Sequence, residues 1–215
     1  LYIGGPDEDH HHAWKELKPN EIYETVPVAL GCVKGGFEEA IAELTRYRRQ
    51  VLLKKHVDNQ NLSVVFNDYM NCLWGNPSTE KEIPLIQSAS KHGCDIYVID
   101  AGWYAEKEEK WWGTVGLWKP AKSRWPNGFD EVIDSIKANG MIPGIWLEIE
   151  RAGMNSALKN KPDSWFFMRH GKRVIENQSF LLDFRNSEVR QYANSVIDRL
   201  VSKYDIGYLK MDYNV

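Results

Sequence analysis

The chain has 215 residues, enough for one full domain or for one domain and part of another. Its 43% hydrophobic and 27% charged residues are ordinary for a soluble globular protein, and no run is long and apolar enough to span a bilayer. A formal net charge of −3 offers no general attraction to nucleic acid or to a membrane surface.

Residues 1–27 read as loop, with Gly4, Gly5, Pro6 and Pro19 among acidic residues. His10, His11 and His12 lie in it without nameable partner ligands, so they read as a solvated run rather than a metal site. Residues 26–33 are expected to form a strand. Gly35 and Gly36 then precede Phe37, Ile41, Leu44 and Val51, which recur at helical intervals. Residues 1–60 therefore read as the end of one domain with a linking helix, and residues 61–215 as another.

From Leu62 a unit recurs. Leu62–Asn67 (LSVVFN) is a buried-strand run, followed by a helix over about Ile83–His92 that Gly93 closes. Thr79 and Glu82 are spaced as a capping box, while Pro84 leaves the helix start open. Asp95–Asp100 (DIYVID) is the next strand. After a long loop, Phe129, Val132, Ile133 and Ile136 mark a helix face that ends at Gly140. Met141–Ile149 (MIPGIWLEI) is the third strand, and the segment WFFMRHGKRVI reads as a hairpin. Val189, Tyr192, Ala193, Val196, Ile197 and Leu200 define an amphipathic helix before the fourth strand, Gly207–Asn214 (GYLKMDYN).

Strands alternating with helices imply an α/β fold with parallel strands and right-handed crossovers. A doubly wound sheet and a β/α barrel both fit. Two observations favour the barrel. No glycine-rich phosphate loop follows any strand. Polar residues also gather at the strand C-termini, where a barrel keeps its active site: Asn67 and Asp68, Asp100, Glu148, then Lys210, Asp212 and Asn214. A barrel has eight strands, so this chain would supply the first half, about four βα units.

The last strand is the most informative. A period of two sends Lys210, Asp212 and Asn214 to one side, away from Met211 and Tyr213. Three polar groups inside a barrel are costly unless they serve a ligand or one another. Lys210 is expected to keep the Asp212 carboxylate ionised, as a nucleophile requires; a buried Lys–Asp pair without chemistry is the alternative. Asp100, followed by Gly102 and Trp103, suits sugar hydroxyls with an indole beside them, or equally a loop cap. Trp146 is a candidate aromatic wall for a sugar. Glu148 and Glu150 read as structural, with Arg151 as partner. The nine Trp and ten Tyr either stack on sugars or fill the core. Cys32, Cys72 and Cys94 are odd in number and lack metal spacing, which fits reduced thiols and a cytoplasmic location. No metal or other cofactor is expected.

The strings DAGWY, GIWLEIE, LLDFRNSEVR and YLKMDYN, in this order, resemble the catalytic barrel of glycoside hydrolase family 36. That family includes the α-galactosidases called melibiases and the plant raffinose synthases. The resemblance covers about Val64–Val215. It implies a (β/α)8 barrel preceded by a β-sandwich domain, of which residues 1–60 would be the C-terminal end. It implies Asp212 as nucleophile, with Lys210, Asn214, Asp100 and Trp146 binding the sugar. The acid/base aspartate would lie on a strand beyond Val215, so the chain by itself is expected to be inactive. Ala101 stands where the family often has a second aspartate, and Tyr69 takes the place of a tryptophan after the first strand.

The activity so implied is retaining hydrolysis of terminal α-galactosyl residues in oligosaccharides, with a homo-oligomer as the expected assembly of the full-length protein. Transglycosylation, hydrolysis of another α-glycoside, and an inactive carbohydrate-binding protein remain as alternatives.

Overall fold

The computed structural model describes residues 5–11, 13–54 and 56–214. Residues 1–4 of the loop-like start, His12 of the histidine run and Val215 lie outside the described residues. The chain divides into two compact units, residues 1–62 and 63–215.

In the first unit, α1 (Glu8–His11) is a single turn, and α2 (Phe37–Tyr47) continues into a wider π-type turn at Arg48–Leu52. A carboxylate oxygen of Glu39 accepts from the Gly36 amide at 2.7 Å, satisfying a donor at the start of α2. Another single turn, α3 (Asp58–Asn61), ends at Leu62 with φ 50°. The strand expected over residues 26–33 does not form; Val26, Val28 and Leu30 are 61%, 60% and 77% exposed. Among the described residues of this unit there is no strand for it to pair with, and an unpaired strand leaves its backbone groups without partners.

The second unit carries four parallel strands: β1 (Val65–Asn67), β2 (Ile96–Ile99), β3 (Ile142–Leu147) and, last in the chain, β9 (Tyr208–Met211). Their order in the sheet is β1-β2-β3-β9, so sequential parallel strands are neighbours and the order does not reverse within the sheet. The connections contain α4 (Thr79–Lys91), α6 (Asp130–Ala138) and α7 (Ser187–Tyr204), with the short turn α5 (Trp111–Thr114) in the loop after β2. The helices cover the sheet because their apolar spacing matches a helix face. Val132, Ile133 and Ile136 of α6, and Val189, Ala193, Val196 and Leu200 of α7, are buried. All but Val189 pack with Ile86 of α4 around Ile99 and Ile145 of the sheet; Val189 packs instead in a smaller cluster with Ala152, Trp165 and Leu182.

The capping box at Thr79–Glu82 is not formed. The helix already begins at Thr79, earlier than Pro84 suggested, and Glu82 turns inward to the core. A proline removes one donor, and near a helix start that loss is small. Strand β1 is shorter than the run LSVVFN and is not buried as expected: Leu62 is left-handed, and Leu62, Val64 and Val65 are exposed.

Between β3 and α7 the chain builds a small antiparallel sheet from β4 (Arg151–Gly153), β7 (Ile175–Glu176) and β8 (Ser179–Leu181). The expected hairpin is present as β5 (Met168–Arg169) and β6 (Lys172–Arg173). It turns at His170 and Gly171, with φ 50° and 74°, the pair of positive values that a tight two-residue hairpin turn demands.

Candidate functional site

The strand C-termini deliver polar side chains to one rim. Asn67 ends β1, Asp100 follows β2, Trp146 lies on β3 opposite Lys210 of β9, and Asp212 follows β9 with its amide bonded to the Leu147 carbonyl at 2.9 Å. The loops behind them are locked together. Gly102 has φ 97°, and a Cβ there would stand 2.1 Å from the Gly75 carbonyl oxygen, so only glycine lets the loop after β2 lie on the loop after β1. The buried Arg124 guanidinium fastens the same two loops through Asn76, the Pro77 carbonyl at 2.9 Å and the Ala105 carbonyl.

Asp100 is the centre of one cluster. Its Oδ2 accepts from Lys210 Nζ and from Asn67 Nδ2, each at 2.6 Å, and its Oδ1 accepts from the Ala101 amide at 2.7 Å. Lys210 retains two unspent donors in this arrangement, and Asp100 one lone pair, so the pair can read adjacent hydroxyls. Tyr69 is half-buried beside it; burial and the Asp100 charge push its phenol above the ordinary value, against a smaller opposing effect of Lys210.

Asp212 forms the second cluster. Its Oδ2 accepts from the Trp146 indole N–H at 3.0 Å and its Oδ1 from the Tyr213 amide at 3.0 Å. Burial pushes this carboxyl up. Hydrogen bonds from Trp146, the Asn214 side chain and the Tyr213 amide, with the Lys210 charge, outweigh it and hold the group below the usual value. Lys210 thus bonds directly to Asp100 and acts on Asp212 through its charge.

Trp146 is only 1% exposed, so within this chain its ring is packed under the site and its N–H edge faces Asp212. Trp103 is fully buried and donates to the Trp146 carbonyl at 3.0 Å, part of the layer beneath. Trp111 packs edge-on against both Tyr69 and Trp146, with centroids 5.9 Å away in each case; the sequence reading did not single it out. Only the pairing of Trp111 with Trp112, in the long loop between β2 and α6, could have signalled it.

Asn214 is held through its backbone. Its amide donates to Glu148 Oε1 at 2.6 Å, and its carbonyl accepts from Arg151 at 3.1 Å. Arg151 is buried against Glu148 at 3.3 Å, the pairing expected from sequence, and stacks over Trp112 at 4.4 Å. A cavity of about 420 Å³ lies nearby among the loops after β2 and β4, lined by Tyr104, Glu106, Trp118, Lys119 and Asn155. Asp100, Lys210 and Asp212 do not line it.

Replacing Trp146 by Phe removes a hydrogen bond that favours the ionised form of Asp212. The Asp212 pKa then rises, which carbon-detected NMR titration of that carboxyl reads. A titration midpoint identical to wild type would show that this contact does not tune Asp212.

Comparison with known proteins gives a consistent result. The Melibiase family model matches residues 22–215. The chain is 24% identical over its whole length to alpha-galactosidase Mel36A of Lactobacillus acidophilus, covering 29% of that protein. It is 26% identical to probable alpha-galactosidase G of Emericella nidulans, with 92% of this chain and 28% of that protein covered. Among solved structures, GH36 alpha-galactosidase AgaB of Geobacillus stearothermophilus superposes with a TM-score of 0.67 at 22% identity, over 79% of this chain and 23% of that one. A variant of AgaA from the same organism, in complex with stachyose, also gives 0.67 at 22% identity, over 77% and 23%. The chain thus spans less than a third of the length of these curated relatives. Among the described residues, no helix is long and apolar enough to cross a membrane.

Proposed function

Since the chain belongs to the Melibiase family, we propose that it forms the nucleophile-bearing half of a retaining glycoside hydrolase that removes terminal α-galactosyl residues from oligosaccharides. Residues 61–215 are read as the first four βα units of a (β/α)8 barrel, and residues 1–60 as the end of a preceding β-sandwich domain. The sequential order β1-β2-β3-β9 supports the barrel, since half of one needs parallel neighbours without a reversal.

The observation that carries the reading is Asp212. Its carboxylate is kept ionised, its rotamer is held by the Trp146 N–H, and it stands on the same rim as the Lys210–Asp100 pair. One carboxylate oxygen attacks the anomeric carbon while an aspartate from a later strand protonates the departing glycosidic oxygen. A glycosyl ester to Asp212 forms. The second aspartate, now ionised, takes a proton from water, and the hydroxide equivalent displaces Asp212 with net retention. Retention needs the two carboxyls about 5 Å apart. Lys210 and Asp100 hold ring hydroxyls, so the anomeric carbon is presented to Asp212 in one pose. Asn214 steadies the carboxylate from the other side.

Hydrolysis of nitrophenyl α-galactoside by the full-length protein, beside the α-glucoside and the N-acetyl-α-galactosaminide, tests this. The α-galactoside is expected to be preferred. Ala101 gives a specific reason to keep a second reading, a related α-glycoside as substrate, because it offers no carboxylate next to Asp100. Preference for another sugar would select that reading. No turnover of any of the three would overturn both.

A further inference from the structure

Behind Asp100 lies a second pair of acids that the mechanism above does not use. Asp68, just after β1, is 2% exposed, and Glu82, on the first turns of α4, is fully buried. The Asp100 amide donates to Asp68 Oδ1 at 2.8 Å, and the Tyr97 hydroxyl donates to Glu82 Oε2 at 2.6 Å. The remaining oxygens, Asp68 Oδ2 and Glu82 Oε1, are both sealed from solvent and have no protein donor. Yet the two side chains act on each other: Glu82 pushes the Asp68 carboxyl up, and Asp68 pulls the Glu82 carboxyl down. Two bare carboxylate oxygens in contact repel, and in a dry site that repulsion is strong; one proton between them turns it into a short, strong bond.

We propose that Asp68 and Glu82 share a proton and that this carboxyl pair is the positioning device that holds Asp100 in place for Lys210 and the sugar. The hydrogen bonds then converge on Glu82: the Tyr97 O–H donates to it from one side and the Asp68 O–H from the other, while the Asp100 amide donates to Asp68. The strand end at Asp100 is thereby tied to α4, and Lys210, 2.6 Å from Asp100, is tied to it in turn. The other groups acting on the pair fit this. Burial and the Asp100 charge push Asp68 up, and burial and Cys72 push Glu82 up. Lys81 of α4 acts in the opposite sense on Glu82, as the smallest of the effects on it, and its ammonium donates to the Asn76 carbonyl at 2.9 Å. The pair therefore keeps a proton at neutral pH and surrenders it on the alkaline side. When it does, repulsion drives Asp68 off the Asp100 amide, and sugar affinity falls.

The test uses the full-length protein. Infrared spectroscopy of the substrate-free protein at neutral pH is expected to show a protonated-carboxyl C=O band that disappears on alkaline titration. The band should be absent in Glu82→Gln and in Asp68→Asn, and kept in Asp212→Asn. This arm needs no substrate, so it stands or falls apart from the α-galactoside reading, on which the kinetic arm rests. In the kinetic arm, Glu82→Gln keeps both hydrogen bonds, since its amide donates to Asp68 and accepts from Tyr97. Its KM stays within about twofold of wild type and remains flat into alkaline pH, where the wild-type KM climbs. Glu82→Ala orphans Asp68 and Tyr97 and raises KM about tenfold, with kcat changed less. If Glu82→Ala does not fold, the Glu82→Gln profile and the infrared band decide the matter. Absence of the band in the wild type, or an alkaline KM rise in Glu82→Gln equal to that of wild type, overturns the proposal.

Discussion

Asp212→Asn in the full-length enzyme is expected to lower kcat on aryl α-galactosides by about 10⁴-fold or more, with the fold unchanged. The amide keeps the shape of the carboxylate and still accepts from the Trp146 N–H, so the packing under the site survives. It cannot form the glycosyl ester, and both halves of the double displacement are lost. A second variant separates a nucleophile from an acid/base residue. Asp212→Gly opens the face on which the proposed nucleophile stands. Azide supplied with an activated aryl α-galactoside should then yield the β-galactosyl azide, since one displacement inverts where two retain. An α-configured azide would assign Asp212 the acid/base role instead. Substantial turnover by Asp212→Asn would remove it from the chemistry.

The largest effect on stability is expected at Arg151. Its guanidinium is buried and bonds to Glu148 and to the backbone carbonyls of Glu176, Asn177 and Asn214, at 2.9–3.3 Å. Arg151→Ala leaves the fully buried Glu148 without its cation and several carbonyls without a donor, at a cost of about 3–5 kcal/mol. Arg151→Lys recovers little, because an ammonium cannot supply a planar fork or stack on Trp112 in the same way. The double change Arg151→Met with Glu148→Gln should recover much of the loss, since no uncompensated charge then stays buried. Denaturant unfolding of the four proteins checks this; a loss below about 1 kcal/mol in Arg151→Ala would show that the network contributes little. Because Arg151 and Glu148 together hold the Asn214 backbone, the same variants are expected to raise KM.

Much of the fold was legible in the sequence, because its signals are local. The helix faces of α6 and α7 and the apolar runs of β1, β2 and β3 carry periodicities that any short window displays. The hairpin at His170–Gly171 was equally visible. The reading failed where a local pattern needed a distant partner. Val26–Val33 has the composition of a strand but no strand to pair with among the described residues, and Thr79–Glu82 has the spacing of a capping box but a core that claims Glu82.

The candidate site divides along the same line. The two-residue alternation in YLKMDYN put Lys210, Asp212 and Asn214 on one face without any coordinates. Which groups they meet was a tertiary decision. Lys210 finds Asp100 from 110 positions away, Asp212 finds the Trp146 indole from 66, and Asp68 and Glu82 meet because α4 folds back over β1 and β2. By itself the sequence determined the parallel α/β framework, the family and the face on which the polar groups lie, because backbone periodicity and motif order are properties of neighbouring residues. Only the tertiary structure decided which carboxylate is paired, which titrates below its usual range and which two are buried together, because these depend on burial and on partners that packing alone brings together.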